Sequence, residues 1–122
     1  MAVSKDFRDV RAWQLAHQMD LRVTLFLCSP EFRRQFKNCE QLRDAAHSGP
    51  RSIARGHERL RPKEFADFVR VARGSEEQVL KHLIDAHGQT LITTDELVIN
   101  RRLARRAMRA ANRLIRYLEA AE

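Results

Sequence analysis

Between Phe65 and Ala86, the residues Phe65, Phe68, Ala72, Ser75, Val79, Leu83 and Ala86 recur every three or four positions. That period puts them on one stripe of a long α-helix, whereas a strand would alternate every second residue. Pro62-Lys63-Glu64 has the form of a helix start and Gly88 that of a helix end. Pairs at i,i+4 along the outer face (Lys63–Asp67, Arg73–Glu77 and Glu77–Lys81) each add about 0.2–0.5 kcal/mol. One striped helix cannot bury itself, so the remaining segments must supply its partners.

Their composition is helical. Aromatic residues make up only 7% of the chain, so a core must come mainly from Leu, Ala, Val and Ile, and glycine and proline are scarce. Residues 1–9 read as a polar lead-in, with Asp6 or Asp9 placed to cap a first helix through Trp13 that stops at Ser29-Pro30. Ala12, Ala16, Met19, Val23 and Phe26 form one stripe of that helix, and Val10, Trp13, Leu21 and Leu27 another. A helix apolar over this much of its circumference buries two faces, and a second copy of the chain would cover the extra one. Ser29-Pro30-Glu31 resembles a helix start, with Phe32–Lys37 expected as a single turn or loop. A second helix opens at Asn38 or Cys39 and presents Leu42, Ala45, Ala46, Gly49 and Ile53 as a narrow face. Pro50 inside it predicts a kink, or a break with immediate restart. Gln89–Thr93 is a connector, extended at Leu91-Ile92, before Thr94-Asp95-Glu96 caps a last helix. Leu97, Leu103, Ala107, Ala111, Leu114 and Leu118 mark its inner side. The expectation is a single all-α domain over 1–122, an up-and-down four-helix bundle with helices at about 9–28, 38–60, 62–88 and 94–120.

Several functions lose support at this level. No apolar h-region opens the chain and no window approaches a membrane span, so a cytoplasmic location is expected, with Cys28 and Cys39 reduced and buried. A di-iron bundle needs Glu-x-x-His on two helices, and the motif is absent. The five histidines and two cysteines lack zinc-ligand spacing, and Gly49 to Gly56 is not followed by Lys-Ser/Thr as a phosphate loop would be. Trp13, Phe65 and Phe68 read as core. No enzyme, cofactor, metal or small-molecule substrate is expected.

Charge points elsewhere. The net charge is +7 on 122 residues, a balance that favours nucleic acid or another anionic partner. Between Arg101 and Arg116 stand seven arginines and no acid, and at about 100° per residue Arg102, Arg106, Arg109, Arg113 and Arg116 share a face. Arg51, Arg55 and Arg59 follow at i,i+4 in the second helix, beside Arg61 and Lys63. These cations either meet phosphates, which suit guanidinium forks, or form a solvated face neutralised by acids across the bundle. No aromatic platform adjoins them, so binding would follow the backbone of RNA or DNA without sequence preference.

Phe7-Arg8-Asp9-Val10-Arg11-Ala12-Trp13-Gln14-Leu15-Ala16-His17 resembles the opening pattern of a known family. Gln41-Leu42-Arg43, Ala45-Ala46, Ser48, Pro50 and Ile53-Ala54-x-Gly56 are similar to its second helix. Lys63-Glu64-Phe65-x-x-Phe68 and Ala72-Arg73-Gly74-Ser75 are similar to its third. The family is that of the four-helix-bundle proteins encoded within intervening sequences of large-subunit ribosomal RNA genes, and the resemblance is good from residue 7 to about 88 and looser over the last helix. It implies an up-and-down bundle assembling as a homopentamer in bacterial cytoplasm, with no established enzymatic activity. A more distant relative, the accessory protein of diversity-generating retroelements, is a basic pentameric bundle associated with nucleic acid. This chain departs from the pattern at Ser52, where Asn is usual, and at Arg55 and Gln78, where Glu is usual. The resemblance therefore leaves two roles open: a basic oligomer that binds nucleic acid, or an assembly or adaptor protein with a protein partner.

Overall fold

The computed structural model describes residues 4–121, so the polar lead-in and the domain limits expected at 1 and 122 lie partly outside it. A 3-10 turn at Phe7–Asp9 precedes five helices: α1 (Arg11–Leu27), α2 (Pro30–Gln35), α3 (Cys39–His57), α4 (Pro62–Gly88) and α5 (Thr94–Ala120). No strand occurs among the described residues. The four long helices form a ring in which α1 packs on α3 and α5, and α4 packs on α3 and α5. Neighbours run antiparallel. Asp20 of α1 meets His47 of α3, Ser48 of α3 meets Ser75 of α4, and Arg73 of α4 meets Asn112 of α5. The expected up-and-down bundle is the observed fold, with α3 and α5 on opposite corners.

Local chemistry explains most boundaries and corrects several expectations. Asp6 caps the 3-10 turn through the Arg8 N–H, so neither it nor Asp9 caps α1, whose N-cap is Val10. Ser29 accepts from the Phe32 N–H and starts α2, a six-residue helix where a turn or loop was expected. The cap of α5 is Thr93, one residue before the expected Thr94, and it closes a reciprocal box with Glu96. The second long helix ends at His57, three residues early, because the Glu58 and Arg59 N–H groups turn back to Arg55 and Gly56. The α4–α5 connector is a turn rather than extended chain. Leu91 N–H returns to Ala86 and Thr90 N–H to His87, a Schellman closure with Thr90 at φ 64°. Pro50 interrupts nothing: α3 runs through it unbroken.

The core lies on the ring's axis. α1 contributes Leu15, Ala16, Met19 and Val23, α3 Leu42, Ala46 and Ile53, α4 Phe65, Val69, Val79 and Leu83, and α5 Leu103, Ala107 and Ile115. On α4 the buried stripe includes Ala66, Val69 and Glu76, while Phe68 and Ser75 are only half-buried. Leu21 is exposed rather than buried, and so is Cys28. Of the expected i,i+4 pairs, Lys81–Glu77 is present at 3.9 Å, whereas Arg73 donates to Asn112.

Small residues let α3 and α4 close together. A Cβ on Gly56 would lie 2.7 Å from both Phe65 Cδ1 and Phe68 Cβ, and one on Gly49 would collide with Glu76 Oε1. Glu76 is 1% exposed, and neither carboxyl oxygen has a hydrogen-bond partner among the described residues. Burial raises its pKa well above the ordinary carboxylate value, and the charge of Asp20 raises it further.

Candidate nucleic-acid interface

The arginines of α5 are set by the helix itself. Its capping box fixes the first turn, and the buried residues from Leu97 to Leu118 fix its rotation about the axis. Arg102, Arg105, Arg106, Arg109, Arg113 and Arg116 then face solvent, with Arg101 half-buried at their edge. Over fifteen residues at 1.5 Å each, the row spans about 20 Å. Among the described residues, ion pairs join Arg8 to Asp6, His47 to Asp20, Arg70 to Asp67 and Glu119, and Lys81 to Glu77. None involves an arginine of the Arg101–Arg116 run. Four of these residues, Arg101, Arg102, Arg105 and Arg109, border a shallow depression of about 340 Å³ with Val98.

The structure separates the other basic candidates from this row. Arg51 and Arg55 are exposed on α3, the corner diagonal to α5. Arg59 lies beyond the end of α3, and its guanidinium sits 4.9 Å from the centre of the Phe68 ring. Arg61 is the N-cap of α4 and Lys63 stands in its first turn, both exposed. The ten residues singled out in the sequence therefore form two groups: five on one α5 face, and five on α3 and the α3–α4 turn.

Two features carried no signal in the sequence. Arg11, at the start of α1, joins Arg106, Arg109 and Arg113 around a groove between α1 and α5. Asp20 and His47 pair at 2.5 Å across α1 and α3, beside His17 stacked on Trp13 and next to Arg51. Both depend on tertiary packing between residues far apart in sequence, which periodicity within one helix cannot reveal. His47 and His17 had no ligand spacing, and among the described residues no group of three His, Cys, Asp or Glu is placed to hold a metal ion. No described helix is long and apolar enough to cross a membrane.

The profile of the 23S rRNA-intervening sequence proteins matches residues 8–113. The chain belongs to that family. The match runs from the 3-10 turn into α5, further along the chain than the segments quoted above, and ends at Arg113 before the last turns of the helix. Among curated proteins none matches.

Proposed function

We propose that this member of the 23S rRNA-intervening sequence family is a non-enzymatic, cytoplasmic, homo-oligomeric bundle that binds RNA or DNA through backbone phosphates. The observation that carries this reading is the α5 row: seven arginines on one helix, no intervening acid, and no ion pair to any described residue. Like charges at i,i+4 weaken a helix by about 0.2–0.5 kcal/mol per pair, so folding alone gives no reason to keep them. Phosphates remove the repulsion, and guanidinium forks match their oxygens. Binding to mixed-sequence RNA, measured at several salt concentrations, tests it. If the exposed row meets about four phosphates, log K falls against log salt with a slope of roughly −3 to −4. No binding at about 50 mM salt overturns the reading.

The oligomer, a pentamer by family resemblance, is supported by apolar side chains left in water. Leu21 is 52% and Leu25 68% exposed on α1, and Ile99 on the adjoining α5 borders a groove with Leu25. Light scattering that gives a 14.3 kDa species at micromolar concentration would refute it. The same leucines favour the second reading, an assembly or adaptor protein with a protein partner. That reading requires a co-purifying protein that survives nuclease treatment, and an oligomer indifferent to RNA.

A further inference from the structure

The groove between α1 and the C-terminal half of α5 differs from the open row beside it. Arg11, Arg106, Arg109 and Arg113 surround about 220 Å³ of space. Its floor is apolar, formed by Leu15 and Ala110, which are 2% and 9% exposed. Among the described residues none of the four arginines has an acid partner, and no acid lines the groove. Arg109 also borders the depression on the outer face of α5, so the groove is the end of a continuous basic track.

Shape changes what such a cluster prefers. Elsewhere on the row Arg102, Arg105 and Arg116 face solvent, and each can meet one phosphodiester. In the groove four cations from two helices converge over a low-dielectric floor that focuses their field. Charges held over an apolar floor are screened less by salt than charges that stand in open solvent. A phosphodiester, with a single negative charge, leaves most of that charge unneutralised. A terminal phosphate or an oligophosphate, with two or more charges and oxygens in several directions, satisfies several forks together.

We propose that the Arg11–Arg106–Arg109–Arg113 groove is a subsite for a multiply charged phosphate, the phosphorylated 5′ end of a strand whose backbone continues along α5. The placement of the strand rests on the nucleic-acid reading above; the preference for an oligophosphate does not. The test compares one short single-stranded RNA carrying a 5′-hydroxyl, a 5′-monophosphate or a 5′-triphosphate, with inorganic triphosphate as a separate ligand. The triphosphorylated strand should bind about tenfold tighter than the hydroxyl form. Arg11→Ala should remove most of that preference, weakening the triphosphorylated strand by a larger factor than the hydroxyl strand. Arg11→Lys, which keeps the charge and loses the fork, should restore part of it. Arg102→Ala, outside the groove, should weaken all three strands alike. Circular dichroism of each variant separates loss of binding from loss of fold.

Equal binding of the three strands overturns the subsite and leaves backbone binding standing. Binding of inorganic triphosphate, sensitive to Arg11→Ala, without binding of any RNA keeps the groove as a free-oligophosphate site. It would overturn both its assignment to a strand end and the nucleic-acid reading. Failure of every ligand overturns all of it.

Discussion

The α3–α4 seam and the outer face of α5 use their residues in opposite ways. At the seam every feature closes space: Gly56 beneath Phe65 and Phe68, Gly49 against Glu76, and Ser75 donating to Ser48 at 2.8 Å. On α5 the arginines face solvent with no ion-pair partner among the described residues. The close approach at the seam is explained by folding, since the glycines and serines there let two helices pack together. The α5 face works against folding, since its residues repel one another. Substitutions at the two places should therefore separate stability from binding.

The largest effect is expected on α5. Arg106→Glu, Arg109→Glu and Arg113→Glu together should weaken RNA binding by about 100-fold or more at moderate salt. The melting temperature should hold or rise, because the new acids relieve like-charge pairs. A fall in melting temperature as large as that of a seam variant would break the contrast. Next come the glycines: Gly56→Ala should destabilise by about 1–3 kcal/mol in urea titration, with affinity per folded molecule unchanged. Gly49→Ala should cost a similar amount, and a double-mutant cycle with Glu76→Ala should return a coupling of about 1 kcal/mol or more. Additivity of those two would mean that Glu76 moves aside freely.

Glu76 gives the seam a pH dependence. Its pKa is raised in the folded protein, so its contribution to stability is complete below the unfolded value of about 4.3 and lost as pH rises through the folded value. Over that window the wild type should lose up to about 1.4 kcal/mol per pH unit relative to Glu76→Gln. Asp20, with His47 bound to it, faces the same carboxyl. Parallel stability curves for wild type and Glu76→Gln would remove Glu76 from the account. The smallest effect belongs to neither region. Thr90→Gly should stabilise by about 0.5 kcal/mol, since the left-handed conformation strains a branched residue by more than glycine loses in chain entropy.

The fold was largely legible in the sequence because periodicity and caps act locally. Errors arose where polarity and geometry disagreed. On α4 the stripe through Ala72 and Val79 geometrically includes position 76, but a glutamate there reads as surface, and Ser75 took its place in the expectation. Leu21 erred in the opposite sense, an apolar residue turned to water. The α5 row could be drawn from 100° per residue alone. Its continuation to Arg11 could not, because that contact depends on how two helices dock.

Pro50 gives α3 a further property. Without an N–H at position 50, the Ala46 carbonyl lacks its helical donor, yet the helix continues on both sides. One bond is thus missing from the hydrogen-bond ladder of α3, at a buried Gly49-Pro50 step that the neighbouring bonds still bridge. The amides beside that step should exchange with solvent sooner than those in the middle of the other long helices, a soft point inside a continuous helix.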